Sequence, residues 1–226
     1  MDIITSKLFE LKDNEYRDYV ARIIPNLNKY KIIGVKTNDI KKLASIIKQE
    51  RYTYSFLKRI SHKYHEEYLL HAIILNDKYK TVDILLNKLD EFLIYVNDWQ
   101  VVDIIKPEIF KRHPRKVYKY IIRWINSNRE YKMRFAVNTL INFYLKDHYN
   151  KKIFYLVKNI KCNYYYVNTA MVCFYSTALI DYWDDAIKIF ENKELNKWIQ
   201  NRSLRKARIS LRISEEKKEY LKKLMI

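Results

Sequence analysis

The stretch Asn97–Pro107, which reads NDWQVVDIIKP, combines a helix start, a short helix and a helix stop. Asn97 is a residue type that caps helix N-termini, and Gln100 lies where a capping box places its reciprocal side chain. Pro107 disfavours a helical conformation in the residue before it. The sequence therefore predicts a helix of fewer than about three turns in this stretch.

This predicted helix has an aliphatic face and a polar face when residues are placed about 100° apart. Val101, Ile104 and Ile105 share the first face and can serve the core, whereas Trp99 and Asp103 lie one turn apart on the other. A tryptophan and a carboxylate pointing away from a core suggest a functional site. The alternative is a core tryptophan beside a buried or ion-paired aspartate, and the spacing alone does not decide between them.

The rest of the chain is poor in turn-forming residues, with 1 glycine and 3 prolines among 226 residues. Tight hairpins and phosphate-binding glycine loops need more glycine than this, which disfavours P-loop and dinucleotide-binding folds. Hydrophobic residues make up 49% of the chain, enough for a sizeable core and against global disorder. The composition favours an all-α protein.

Caps, prolines and apolar periodicity predict roughly a dozen helices with short connections and no convincing strand alternation. A capping box at residues 127–130 is among the predicted helix starts. The predicted helices cover approximately residues 5–24, 38–50, 61–76, 81–93, 114–126, 128–143, 151–158, 168–182, 184–190 and 194–211, with a last one after Ser214. Paired helices stacking in order favour an α-solenoid of HEAT type, although no exact repeat period is visible. We expect residues 1–226 to form a single domain.

The formal net charge of +18 suggests a polyanionic partner. Nucleic acid is the first candidate and an anionic membrane surface the second, while a lysine-rich solvated surface without a partner is the alternative. Cys162 and Cys173 form no disulfide framework, which favours a reducing compartment. The N-terminus lacks a signal-peptide pattern, and no apolar run approaches the ~20 residues of a membrane-spanning helix. We therefore expect a soluble cytoplasmic protein.

Two helices are candidates for phosphate binding. The first starts near Thr37, beside Gly34 and close to Lys41, and is either an anion site or an ordinary solvated helix start. The second lies near the C-terminus and carries a row of residues spaced four, four, three and four apart, with Leu204, Ala207 and Leu211 on another face. That row is Lys197, Asn201, Arg205, Arg208 and Arg212. Arginine binds phosphates bidentately, so we expect phosphate contacts there rather than an exposed face without a partner.

A cluster of histidines and glutamates lies between His62 and His71. His65 and His71 are six residues apart and therefore on different faces of a helix, and the spacing is not that of a zinc-binding HExxH motif. We expect no metal site and no cofactor.

Several stretches resemble, in the right order, motifs of the AlkD-like DNA alkylation repair family, in its compact members. The stretch at residues 33–44 resembles GVRTPxLRKLA, Trp99 to Asp103 resembles a Trp-x-x-x-Asp motif, and Arg134-Phe-Ala resembles an arginine that opens a later helix. Residues 165–170 resemble YYVxxAxAW, and residues 201–214 resemble the tail NKALQKIxESxRIS. Together these motifs span nearly the whole chain.

The resemblance implies a curved array of HEAT-like antiparallel helix pairs with a basic concave face for duplex DNA. It also implies a monomeric, monofunctional glycosylase that removes cationic alkylpurines such as 7-methylguanine and 3-methyladenine, with the lesion exposed at the protein surface. Asp103 and Trp99 would be the catalytic residues, and Arg134 would contact the DNA backbone. The remaining expected DNA contacts are Asn138, Thr37, Lys41, Tyr165, Tyr166, Cys173, Asn201, Arg205, Arg208 and Arg212.

This chain departs from the family pattern at the second tryptophan of the site. That position falls on Cys173, with Phe174 and Tyr175 adjacent, and Asn38 and Lys41 replace the proline and arginine of the first motif. The departure keeps a second hypothesis open, a DNA-binding solenoid without glycosylase activity. A third, a protein scaffold, explains neither the charge nor the Trp99–Asp103 pair.

Overall fold

A computed structural model describes residues 2–226 of the chain, and about 70% of the chain is helical. The described residues contain no β-strand, so the all-α prediction is confirmed. The helices are α1 (Ile3–Glu10), α2 (Asn14–Ile23), α3 (Thr37–Ile47), α4 (Arg51–Lys58), α5 (His65–Lys78), α6 (Val82–Phe92), α7 (Trp99–Ile104), α8 (Pro114–Ile125), α9 (Glu130–Thr139), α10 (Lys152–Lys158), α11 (Tyr165–Asp181), α12 (Trp183–Glu191), α13 (Lys197–Arg208) and α14 (Glu215–Lys223). Short 3₁₀ turns cover Lys29–Lys31 and Glu108–Arg112, and α9 continues into a π-helical turn at Leu140–Tyr144.

Backbone contacts divide the chain into two compact units, the first ending at Val117 and the second covering Tyr118–Ile226. In the first unit α5 packs against both α3 and α7, and in the second α11 packs against both α9 and α13. Alternate helices therefore lie side by side within each unit, the arrangement expected of stacked helix pairs. One continuous array over residues 1–226, its curvature and its basic concave face stay predictions.

Several predicted helix boundaries are wrong because capping side chains act at other positions. The helix expected over residues 5–24 is two helices, since the Asp13 carboxylate accepts the Tyr16 N–H at 2.9 Å and starts α2 anew. The expected capping box at residues 127–130 is absent, because the Ser127 hydroxyl donates to the Trp124 carbonyl at the end of α8. Helix α4 was not predicted, and α13 ends before Arg212.

Gly34 occupies a position that no other residue type could take without strain. Its φ of 96° lies in the left-handed region, and an added Cβ would collide with the Asp13 carbonyl oxygen and with Arg17. Its carbonyl accepts the Asp13 N–H at 2.9 Å. The lone glycine therefore locks α2 against the segment that leads into α3.

Candidate functional site

Helix α7 begins one residue later than predicted, with a different cap. The N-cap is Asp98 rather than Asn97, and its carboxylate accepts the Val101 N–H at 3.0 Å. Gln100 forms no capping box, because its side chain bonds to other helices instead. The cap and capping box predicted at Asn97 and Gln100 are therefore wrong, while the short helix itself is confirmed.

The exposed side of α7 carries Asp103 into a cleft of about 500 Å³. Helices α3 and α5 and the segment after α7 form its walls. Three lysines line the same cleft, namely Lys41, Lys48 and Lys106. Asp103 is half-buried, and Ile104, which was expected in the core, lines the cleft beside it. The structure therefore brings together two residues predicted from separate motifs, Asp103 and Lys41.

The cleft is lined by side chains of both charges, three lysines and the carboxylates of Asp77, Asp103 and Glu108. Lys48 is neutralised by an ion pair with Asp77 at 3.0 Å, whereas Lys41 and Lys106 are exposed. Ammonium groups attract phosphates, and a carboxylate favours positive charge that develops within a few ångströms of it. Positive and negative side chains therefore line the same cleft of the first unit.

Asn76 fixes the backbone that carries Asp103, a role that sequence reasoning missed. Its side-chain amide donates to the Ile104 carbonyl at 3.0 Å and accepts the Lys106 N–H at 2.7 Å. Helix α7 has only 6 residues and is too short to be stable on its own. One asparagine on α5 therefore bonds both to the last carbonyl of α7 and to the backbone just after the helix. No pattern in the sequence distinguishes this asparagine from any other polar helical residue.

Trp99, the other residue of the Trp-x-x-x-Asp motif, is half-buried and packs against Val20, Ile24 and Ile32. It is not among the described residues that line the Asp103 cleft. Trp99 was expected to be either a functional residue or a core residue. Its half-buried indole packs on the core of the first unit and also has an exposed part. Its catalytic role stays a prediction.

The start of α7 is held by a hydrogen-bonded chain of buried side chains. His65 Nδ1 lies 3.1 Å from Asp98 Oδ2, and its Nε2 lies 3.1 Å from Gln100 Oε1. The Gln100 amide donates to the Thr37 hydroxyl at 3.3 Å. Both nitrogens of a charged imidazolium would donate in this geometry. Burial disfavours that charge, but the Asp98 carboxylate outweighs it and raises the pKa of His65.

The hydrogen-bonded series of side chains ends at Thr37, which was predicted to contact DNA. Thr37 is the first residue of α3 rather than its cap, which is Lys36. Its hydroxyl accepts a hydrogen bond from Gln100 and so has its own proton available to an outside acceptor such as a phosphate. The expected phosphate contact at this helix start stays a prediction.

The glutamates of the His62–His71 cluster bind backbone and side chains. Glu66 accepts the N–H groups of three consecutive residues, 33 to 35, at 2.9, 2.7 and 3.3 Å. Glu67 accepts the Thr5 hydroxyl at 2.6 Å and the Lys63 and Tyr64 N–H groups at 2.9 Å. These two carboxylates explain the acidic start of α5, because each replaces the water that buried backbone donors would lose.

The two remaining histidines of the cluster bond to each other, with His62 Nε2 2.8 Å from His71 Nδ1. Burial, together with the charge of Arg59, lowers the pKa of His62 to about 3, and burial holds the pKa of His71 well below its usual value. Both rings are therefore neutral near pH 7 and stack on Phe56 and Phe92 respectively. Their role is to pack the first unit.

In the second unit, Arg134 is buried and holds α11 against α9. It is 8% exposed, and its guanidinium donates to the Tyr166 carbonyl at 2.8 Å and to the Thr169 hydroxyl at 3.0 Å. Glu130, one turn earlier on α9, accepts the Tyr166 N–H at 2.9 Å. Both backbone polar groups of Tyr166 are thus bonded to side chains of α9. The phosphate contact predicted for Arg134 stays a prediction, as does that of the half-buried Asn138.

The position expected to hold a second tryptophan offers no aromatic surface. Phe174 and Tyr175 are fully buried, and the Tyr175 hydroxyl donates to the Phe154 carbonyl at 2.9 Å inside the core. Of the three adjacent residues, only Cys173 reaches the surface, and it is half-buried. Neither neighbouring ring can therefore replace the missing indole without repacking the helix.

The basic row predicted near the C-terminus is reorganised in the structure. Arg212 lies beyond α13 and pairs with Asp181 at 2.6 Å, and the Asn201 amide binds the backbone of Ile226 at 2.5 and 3.0 Å. Leu211, expected on the buried face, is 97% exposed. The row is therefore not one helix face, and the predicted apolar face that included Leu211 is wrong.

The outer face of α13 instead carries residues spaced four, three and four apart. They are Trp198, Arg202, Arg205 and Ile209. The Arg202 guanidinium lies 4.4 Å from the centre of the Trp198 ring. Sequence reasoning could have found this face by centring the helical wheel opposite the buried residues Ile199, Ser203 and Ala207.

Comparison with known protein families matches most of the chain and spans both units. A family model described as DNA alkylation repair enzyme matches residues 4–172, which cover α1 from its second residue, α2 to α10 and the first half of α11. The matched region contains Trp99, Asp103 and Arg134, and it ends one residue before Cys173. No curated protein matches the chain. Among the described helices, none has the length and apolar character needed to cross a membrane.

Proposed function

The chain belongs to the DNA alkylation repair enzyme family, and from that premise we propose that it is a DNA glycosylase acting on cationic alkylpurines in duplex DNA. Its substrates would be bases of the 7-methylguanine and 3-methyladenine type. The observation that carries the proposal is the position of Asp103, a half-buried carboxylate in an open cleft of about 500 Å³ whose walls also present Lys41 and Lys106.

The chemistry needs little from the protein because alkylation makes the base a good leaving group. The C1′–N bond breaks, its electron pair leaves with the base, and the cationic purine departs as a neutral molecule. The sugar is left with oxocarbenium character, which a carboxylate beside C1′ stabilises. Water then adds to C1′ and loses a proton, giving an abasic site. Asp103 would stabilise the cation and position the water.

The neighbouring groups would hold the substrate against Asp103. Lys41 and Lys106 would bind phosphates of the damaged strand, because both are exposed on the walls of the same cleft. Asn76 would keep Asp103 at a fixed distance from the sugar by clamping the end of α7. The exposed part of Trp99 would contact the cationic base or sugar through its ring face.

A second candidate function is the binding of damaged or distorted duplex without base removal. The surface at Cys173 favours it, because Phe174 and Tyr175 are buried and supply no second aromatic wall. A protein that lost this wall could keep its affinity for DNA while losing catalytic power. The two functions therefore differ in turnover and not in binding.

Incubation with N-methylated duplex DNA distinguishes a glycosylase from a protein that binds damaged DNA without removing bases. We expect release of 7-methylguanine and formation of alkali-labile abasic sites above the spontaneous rate. Asp103→Asn should slow release by about 10²- to 10³-fold, as loss of a transition-state charge contact does, while leaving DNA affinity intact. The matched control is Asp77→Asn, another carboxylate of the same cleft, which should have little effect on release.

Two results would contradict the proposal in different ways. Binding without any release above background would leave the non-catalytic function, and Cys173→Trp would then test whether a missing indole is the reason. Release that is equally fast with Asp103→Asn would mean that another group stabilises the sugar cation.

A further inference from the structure

Gln100 joins helices α3, α5 and α7 through its side-chain amide. Its Oε1 lies 3.1 Å from Nε2 of His65 on α5, and its Nε2 donates to the hydroxyl of Thr37 on α3 at 3.3 Å. Asp98 caps α7, so the amide makes these contacts in place of the capping box that the sequence predicted. Gln100 therefore links a buried histidine to a half-buried hydroxyl at the start of α3.

The two helices that this amide bridges to the cleft carry charged residues one turn further on. Asp103 follows Gln100 by three residues on α7, and Lys41 follows Thr37 by four on α3, so each pair lies along one helix face. Asp103 and Lys41 both line the cleft. The Gln100–Thr37 hydrogen bond therefore ties the wall that presents the carboxylate to the wall that presents the ammonium group.

His65 fixes the orientation of the Gln100 amide. Its Nδ1 lies 3.1 Å from Oδ2 of Asp98, and an ionised carboxylate only accepts hydrogen bonds, so Nδ1 carries a proton. Its Nε2 faces the amide oxygen of Gln100, which also only accepts, so Nε2 carries a proton as well. The arrangement is that of an imidazolium that donates to both neighbours.

Two carboxylates favour this charge inside the protein. His65 is 4% exposed, and burial opposes a charged ring. The charged groups that face the ring are Asp98, before α7, and Glu66, the next residue on α5, and together with the neutral Gln100 they raise the pKa of His65. His65 therefore loses its second proton above its ordinary value of about 6.5.

Loss of that proton would turn the amide around. In neutral His65 the Nε2 atom becomes an acceptor, and the Gln100 oxygen beside it would repel it. A half-turn of the amide brings its NH₂ group to His65 and its oxygen to Thr37. The Thr37 hydroxyl must then donate to Gln100, whereas in the structure it accepts from Gln100 and keeps its own proton for another acceptor.

We propose that Gln100 is a positioning residue for DNA: its amide, oriented by His65, directs the hydroxyl proton of Thr37 towards a phosphate of the bound strand. The inference rests on the proposed function for its ligand, DNA. Thr37 and Lys41 would then bind phosphate oxygens from the same face of α3. Gln100 and His65 act through Thr37 and do not touch the substrate.

The test measures affinity for an unmethylated duplex by fluorescence anisotropy between about pH 5.5 and about pH 9, on either side of the ordinary pKa of histidine. Wild-type affinity should fall about tenfold as His65 loses its proton, because one hydrogen bond to a charged phosphate is lost. Thr37→Val should show the lower affinity at every pH, and Thr37→Ser should restore the wild-type profile. The ratio of wild-type to Thr37→Val affinity isolates the effect, since both proteins share every other titratable group.

Two further variants locate the effect. Gln100→Met keeps the length of the side chain but can neither donate to Thr37 nor accept from His65, so its affinity should not follow the titration of His65. The matched control is Ser45→Ala, which should behave like the wild type. Ser45 lines the same cleft on α3, but its hydroxyl donates to the Lys42 carbonyl at 2.7 Å.

Three results would overturn the role of Gln100. An affinity ratio of wild type to Thr37→Val that stays constant with pH would mean that His65 does not orient the amide. An unchanged pH profile in Gln100→Met would mean that the effect bypasses Gln100, and equal affinities of wild type and Thr37→Val at low pH would exclude the hydroxyl from the DNA contact. None of these measurements involves base release, so 7-methylguanine released from methylated DNA would leave the proposed function standing in each case.

Discussion

The two units use their motif residues differently. In the first unit Asp103 and Lys41 line an open cleft, and the residues that support them, Asn76 and Asp98, lie outside the predicted site. In the second unit the motif arginine, Arg134, is itself buried between helices. A residue that matches a DNA-binding motif can therefore either contact a ligand or hold two helices together. Its burial and its hydrogen-bond partners distinguish the two roles.

The buried support of the first unit should show the largest effect on stability. His65→Gln removes the positive charge beside Asp98, and breaking one partner of a buried pair typically costs about 3 kcal/mol of unfolding free energy. Urea unfolding at pH 6 should show this loss. If the loss is negligible, His65 is uncharged in the folded protein and its pairing with Asp98 does not stabilise the start of α7.

The same pair predicts a pH dependence of that loss. The pKa of His65 is raised in the folded state, so its contribution is fully present below the unfolded value of about 6.5. It is lost as the pH rises through the folded-state value. The difference between wild type and His65→Gln should therefore narrow towards alkaline pH. His62 and His71 titrate identically in both proteins, so their contributions cancel in this difference. A difference that widens as the pH rises would mean that folding lowers the pKa of His65 instead of raising it.

Arg134 and Lys41 give the sharpest comparison between the units. Arg134→Ala should lower the unfolding free energy by about 2 kcal/mol, because two charged hydrogen bonds to α11 are lost inside the second unit. Lys41→Ala should leave stability unchanged and weaken DNA binding. Thermal unfolding and DNA titration of both variants measure this. A stable Arg134→Ala protein with weakened DNA affinity would show that the arginine serves DNA after all.

The sequence predicted the elements that local chemistry determines. The all-α class, α8 from Pro114 and α14 after Ser214 each follow from composition or from a residue acting on its own neighbours. The short helix α7 was likewise predicted, from Pro107 and a polar residue before Trp99, although the cap is Asp98 rather than Asn97.

The missed features depend on residues far apart in the chain. His65 pairs with the Asp98 cap from 33 residues earlier in the chain, and Asn76 bonds to backbone groups 28 and 30 residues later. Arg212 was placed on a helix that ends four residues before it. Periodicity describes faces within one helix, and it carries no information on which side chain of another helix will complete a cap or a clamp.

Asn76 tests whether support from outside the motif matters to catalysis. Asn76→Ala should slow base release about tenfold, equal to about 1.4 kcal/mol of barrier, because the end of α7 loses both of its side-chain hydrogen bonds. DNA affinity should stay unchanged, since Lys41 and Lys106 remain. Asn76→Asp keeps only the acceptor and should fall between the two. A change in affinity with release unaffected would make the residue a structural part of the DNA surface instead.

The smallest effect distinguishes two arginines of the same predicted row. Arg205→Ala should reduce the slope of log affinity against log salt by about one, as expected when one phosphate contact is lost. Arg212→Ala should reduce it less, because Asp181 already neutralises that guanidinium and a phosphate would have to displace the carboxylate. Asp181→Asn should then steepen the slope by freeing Arg212. Equal effects of the two arginine variants would mean that the ion pair opens on DNA, and that in the second unit a bonding partner does not by itself remove a side chain from the binding surface.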